Sequence, residues 1–203
     1  MTTPMRIEPV TLEGRHIRLE PLDDTHFEGL CAIAFDEALW RLQVSRMHDR
    51  EDLRQYVAIA RADQLRGSAL PFATIDRASG QVVGSTRFGN IERTHRRVEI
   101  GWTWLARPWQ RTAANTEAKL LMLTHAFERW GCLRVELKTD VLNEQSRRAM
   151  LRIGAREEGI LRSHMQAWDG RRRDTVYFSI LDHEWPEVRA GLTAKLAGPS
   201  RPD

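Results

Sequence analysis

Cysteine is scarce in this chain: two in 203 residues, Cys31 and Cys132, each set in an apolar helical context. That excludes a disulfide-stapled scaffold and makes both read as small buried hydrophobes. Long apolar runs are missing too. None approaches the ~18 residues needed to span a bilayer, and the opening MTTPMRIEPV lacks the apolar stretch of a secretory leader. A cytoplasmic protein without a membrane partner is therefore expected. No cluster of His, Cys, Asp and Glu stands at metal-ligand spacing, so no metal is expected. No cysteine or serine sits in a nucleophile setting, which argues against a covalent acyl-enzyme. A dominant charge sign is lacking as well: acidic and basic residues are mixed along the chain, the formal net charge is only +3, and the positive charge is almost all arginine. Mild basicity favours an anionic partner (nucleic acid, an acidic protein surface or a phosphate-rich cofactor) without choosing among them.

What is present is 41% hydrophobic residues in a length suited to one domain. The spacing predicts a domain over residues 1–189 and a weakly ordered tail over 190–203, where Gly198-Pro199-Ser200 stands. HIRLEPL, His16 to Leu22, alternates as a strand with Ile17 and Leu19 on one face. Asp23 or Asp24 caps a helix to about Phe35, and a second helix runs from Asp49 to about Leu65. PFATIDR and QVVGSTRFGN flank Ala-Ser-Gly, a hairpin signal. RRVEIGWTWL, Arg96 to Leu105, is a strand with Val98, Ile100, Trp102 and Trp104 on one face and Arg97, Glu99, Gly101 and Thr103 on the other. A third helix spans about Asn115 to Trp130 and stops at Gly131. RVELKTD, Arg134 to Asp140, is the next strand. Asn143 opens a short helix ending at Gly154, and strands around Ile160–Trp168 and Thr175–Leu181 close the domain.

This order implies a mixed α/β fold. The expected core is one mixed, mostly antiparallel sheet of six to seven strands flanked by four helices. Strand 96–105, helix and strand 134–140 read as a βαβ unit, joined through PWQRTAANTEAK, Pro108 to Lys119. A helix N-terminus there presents unpaired N–H groups and a positive dipole end, where an anion sits well. The small Ala113 and Ala114 let such a ligand meet the backbone.

The pattern E-I-G-W, then P-W-Q-R-T-A-A-N-T-E-A, then a strand, then N-E-Q-S-R-R-A-M-L-R-I-G-A resembles the GNAT superfamily of N-acetyltransferases, in its RimJ/RimL-like branch. The likeness covers about Ile17 to Leu181. It implies acetyl-CoA as cosubstrate, transfer to a primary amine by direct attack on the thioester, and a homodimer. The superfamily's Gln/Arg-x-x-Gly-x-Gly/Ala loop begins at Gln110. Ala113 stands at its first glycine and Asn115 at its last position. The cofactor-binding residues implied are Ile100, Gly101, Trp102, Gln110, Arg111, Thr112, Ala113, Ala114, Asn115 and Thr116, with Asn143 and Arg147 on the pantetheine side. Main-chain N–H groups near Gly101 and Trp102 are expected to hold the oxyanion.

An ammonium has no lone pair, so a base must take a proton before attack. Glu99 is one candidate; its bland alternative is a half-exposed carboxylate paired with Arg97 or Arg87. His164 is a second, with an unperturbed pKa of ~6.5. Ser146 is expected near the thiol. Many members of the family carry a tyrosine acid four residues later, but this chain has Met150, and Ala155 replaces the usual aromatic after Gly154. Two other classes stand beside the enzyme: a coenzyme A-binding module with little or no catalysis, and a nucleic-acid binder using Arg171 to Arg173 and the tryptophans. The family pattern argues against the second. Acceptor choice is expected to lie in loops such as Ala38 to Asp49.

Overall fold

The computed structural model describes residues 5–198. Its strands are β1 Leu12–Glu13, β2 Ile17–Pro21, β3 Leu70–Asp76, β4 Val82–Glu92, β5 Arg97–Leu105, β6 Arg134–Asp140, β7 Arg156–Gln166 and β8 Arg172–Leu181. The α-helices are α1 Phe27–Ala34, α2 Arg50–Leu65, α3 Ala113–Thr124, α4 Glu144–Arg152 and α5 Trp185–Ala197. The strands form one sheet in the order β1-β2-β3-β4-β5-β6-β8-β7. Only β5 and β6 run parallel, as the βαβ reading requires.

The described residues form eight strands and five α-helices, against about six to seven and about four expected. β1 is two residues long, too short to show a period. α5 was hidden by Pro186 and Gly191, which punctuate it like loop residues, although proline is tolerated in a first helical turn. It buries Trp185, Val188 and Leu192 on one stripe. The tail expected from residue 190 on is thus helical as far as Ala197, while residues 199–203 lie outside the described residues.

Two cores lie on opposite faces of the sheet. Val98, Ile100, Val135, Leu137 and Phe178 join α3 and α5 on one side. Trp40, Leu53, Val57, Ala73 and Trp104 join α1 and α2 on the other. β5 contributes to both because it contains a bulge. Ser85 opposes Trp104 but Arg87 opposes Gly101, so β5 carries one extra residue, and Trp102 takes a φ of 50°. The bulge reverses the alternation beyond it. Trp104 turns away from Val98 and Ile100 to meet Trp40 edge-on at 5.3 Å, and Trp102 stays exposed. The single-face reading of these four residues is corrected on that ground.

β5 also leaves β6 early. Their ladder holds Arg97↔Arg134, Val98↔Val135 and Glu99↔Glu136 and then ends, whereas β6 continues with β8 as far as Asp140. The strands part from Ile100 on. α3 is tied to the far side of the sheet by the buried Glu117 carboxylate, which accepts the main-chain N–H groups of Arg15, His16 and Ile17, each at 2.7 Å.

Candidate active site

The loop before α3 solves its geometry without glycine. Thr112, not Asn115, caps the helix: its Oγ1 accepts the Ala114 N–H at 3.2 Å. Ala113, Ala114 and Asn115 therefore form the first helical turn. The left-handed residue is Arg111, at φ 62°, while Ala113 is not among the positive-φ residues. An alanine at the family's first glycine costs no backbone strain here. Gln110 donates its side-chain amide to the Leu105 carbonyl at 2.9 Å, closing the loop. Thr116 is buried and its hydroxyl accepts from Arg152 on α4 at 3.0 Å. Restoring the glycine should gain nothing. For Ala113→Gly we expect an unchanged dissociation constant for coenzyme A by calorimetry and a melting temperature lowered by the helix cost of glycine, up to ~1 kcal/mol.

α4 closes the other side. Asn143 caps it, its Oδ1 accepting the Ser146 N–H at 3.0 Å, so the amide nitrogen stays available. Ser146 lies half-buried in the first turn. Met150, one turn on, packs against the main core and offers no proton. Arg147 is engaged by Glu157 at 3.1 Å and by the Val141 carbonyl, so its expected role toward the cofactor competes with an internal ion pair.

Glu99 stands where β5 and β6 part. It is 3% exposed rather than half-exposed, and its partners are neither Arg97 nor Arg87. Lys138 on β6 meets its Oε2 at 2.9 Å, bridging the gap, and Asn90 Nδ2 donates to the same oxygen at 2.7 Å. Oε1 accepts no hydrogen bond from the described residues and lies over Gly101, where an added Cβ would come within 2.7 Å of it. That free oxygen faces the main chain expected to hold the thioester.

His164 is not brought to this point. It sits on the exposed edge strand β7, three strands from β5 in the sheet order, with its ring 5.7 Å from Tyr177. Tyr177 in turn lies under the Lys138 ammonium, 5.8 Å from ring centroid to Nζ. Of the remaining carboxylates, Glu158 pairs with Arg134 and accepts from Ser179, and Asp174 accepts the Ser163 N–H. Arg171 to Arg173 form no basic surface: Arg171 pairs with the buried Asp140, and Arg173 is itself buried, with only Arg172 exposed. Burial pushes the Arg173 guanidinium down, opposed by the charges of Asp140 and Glu99.

A cleft of about 220 Å³ opens between α2, the loop before it and the bulge. Its lining includes Ser45, Met47, Tyr56, Arg87 and Trp102, so the loop expected to select the acceptor does reach it. Trp168 also docks on this segment, donating its Nε1–H to the Trp40 carbonyl at 2.9 Å and carrying the Arg46 guanidinium over its ring. Lys138, Asn90 and Tyr56 were not singled out from the sequence, and Arg87 was considered only as a partner of Glu99. The alternation of Glu136, Lys138 and Asp140 along RVELKTD was a usable signal for the first. Asn90 at φ 48° and Arg87 depend on pairing across β4, which a single strand does not reveal.

Residues 16–156 match the acetyltransferase (GNAT) domain family. A Bacillus subtilis protein named as a ribosomal N-acetyltransferase, YdaF, is 35% identical over 106 residues. That stretch is 52% of this chain and 57% of the relative. The crystal structure of a GCN5-related N-acetyltransferase from Brucella melitensis superposes with a TM-score of 0.89 at 34% identity, covering all of this chain and 92% of that one. Mycobacterium smegmatis RimJ, solved with CoA-disulfide, superposes at 0.79 and 24% identity, covering 92% and 93%; that likeness speaks of fold alone. The family model covers most of the sequence, and the chain belongs to the GNAT acetyltransferase family, whose members transfer an acetyl group from acetyl-CoA.

Proposed function

We propose that this protein acetylates a primary amine, a protein N-terminus or a small-molecule amine, with Glu99 as the base. The observation that carries this reading is the free Oε1 of Glu99 lying over Gly101 at the mouth of the β5–β6 gap. Acetyl-CoA supplies an acetyl group already activated as a thioester. The residues present fit it: the first-turn N–H groups of α3 and the exposed Arg111 suit a pyrophosphate, the β5 main chain from Ile100 to Trp102 lacks a β6 partner, and the Asn143 amide nitrogen at the start of α4 is left to donate to the pantetheine arm. Main-chain donors at Gly101 and Trp102 hold the carbonyl oxygen. Glu99 takes the ammonium proton directly or through water, and Ser146 is the hydroxyl nearest in sequence to the family's acid position. A thiolate leaves tolerably at a pKa near ~8.5, so loss of the tyrosine at Met150 does not forbid turnover.

The name of the Bacillus subtilis relative supports a protein N-terminal α-amine over the alternatives. The unpaired Cys31 and Cys132 agree with a cytoplasmic setting, and no described helix is long and apolar enough to cross a membrane. A homodimer would cover β7, the sheet's edge, where nearly every side chain, Ile160 and Leu161 included, is exposed; sedimentation at twice 23.5 kDa would support it. The transfer itself is tested by mass spectrometry of a panel of amines and peptides incubated with acetyl-CoA. A gain of one acetyl group on any acceptor supports the enzyme. Cofactor binding with no acetylated product across the panel supports the coenzyme A-binding module instead.

A further inference from the structure

The cleft between α2 and the β5 bulge is lined by an arginine that the transfer chemistry does not use. Arg87 is 2% exposed, among the largest fully buried side chains of the fold. Its guanidinium lies between two rings, 5.3 Å from the Tyr56 centroid and 4.9 Å from that of Trp102. One nitrogen, Nη1, reaches Asp63 at 3.3 Å, a long contact to a carboxylate that also serves Arg66. Nε has no partner among the described residues. A buried guanidinium is costly unless its charge and its five donors are met. Here they are met only in part, and the group faces a cavity. Both rings lie within cation–π reach of it, and its incompletely met donors at the cleft suit a planar carboxylate in bidentate pairing.

Position ties this to the reaction. Arg87 is the register partner of Gly101, one strand over and on the same side of the sheet, about 4.8 Å away between strand axes. We propose that Arg87 binds a carboxylate carried by the acceptor, so that the preferred amines are amino acids or peptides with an acidic N-terminal residue rather than polyamines or neutral amines. This rests on the transfer reading above. In such an acceptor the ammonium meets Glu99 while the carboxylate meets Arg87.

The test is binding to the full chain saturated with coenzyme A, followed by calorimetry. The probes are matched pairs: β-alanine, 4-aminobutyrate and glutamate against their amides, and Asp-Ala amide against Asn-Ala amide. At least one carboxylate should bind tenfold or more tightly than its amide. Preference confined to the first three pairs points to free amino acids, and preference in the peptide pair to acidic N-termini. In Arg87→Met the preference should fall below twofold with the coenzyme A affinity unchanged, and Arg87→Lys should keep part of it. If Arg87→Met does not fold, Asp63→Asn serves instead: releasing the guanidinium from its carboxylate should raise the preference threefold or more. Equal binding within every pair by the wild type, or a preference that survives Arg87→Met or is unmoved in Asp63→Asn, overturns the proposal. Absence of coenzyme A binding would instead strike the transfer reading, and carboxylate binding without acetylated product would strike catalysis alone.

Discussion

Glu99→Gln should lower kcat/KM for the best acceptor by about 10²–10⁴-fold, the usual contribution of a positioned base. The substitution keeps the shape of the side chain and the hydrogen bond from Asn90, which meets Oε2 at 2.7 Å. It removes the charge that Lys138 faces at 2.9 Å, so some loss of stability is expected as well. Two readouts separate the roles. Coenzyme A affinity should be unchanged, because the cofactor contacts lie at α3 and the β5 main chain. The deficit should also shrink as pH rises toward the acceptor amine's own pKa, since an amine already neutral needs no base. A constant deficit at all pH would make Glu99 a structural residue. His164→Gln, by the same reasoning, should cost little, because His164 stands three strands away.

The largest stability effect is expected at Lys119. This residue of α3 is 5% exposed, and the one hydrogen bond of its ammonium goes to Thr103 Oγ1 at 2.9 Å. Burial pushes its pKa down to about 7. The unfolded chain keeps the ordinary value of 10.5, so between pH 7 and 10.5 it binds more protons than the folded one. Stability must therefore rise with pH across that window and lie at its lowest below it. A fall from 10.5 to about 7 corresponds to a cost on the order of 4 kcal/mol at neutral pH. Lys119→Met removes that burden and fills the space, and Thr103 keeps Thr86 Oγ1 as a partner at 2.7 Å. Chemical denaturation at pH 7 should show the variant more stable by several kcal/mol, with the gap closing toward pH 10.5. The buried Cys132 thiol, pushed up to about 12, works in the opposite sense above pH 9, so the difference between the two proteins is the quantity to follow. Equal stability at pH 7 would mean the ammonium is hydrated in place.

Much of this site was legible in the sequence because its parts are local. RVELKTD gave β6 to the residue, and Asn143 was read correctly as the cap of α4, since capping and alternation need only neighbours. The start of α3 was placed two residues late because Asn115 and Thr112 both make good caps, and only the left-handed turn at Arg111 decides between them. The bulge at Trp102 was invisible for a different reason: one strand carries no record of what its partner omits. Lys138, Asn90 and Arg87 around Glu99 belong to that second kind, set by register across β4, β5 and β6.

We propose that a loop without glycine, capped by Thr112 and turned by Arg111, still forms the cofactor site. Calorimetric titration of the wild-type protein with acetyl-CoA, and separately with free coenzyme A, tests it most directly. Micromolar binding of both is predicted. At 100 times the dissociation constant it would add ~2.7 kcal/mol, a melting shift of about 5–10 °C for a domain of this size. No heat of binding and no melting shift from a folded protein would contradict the account.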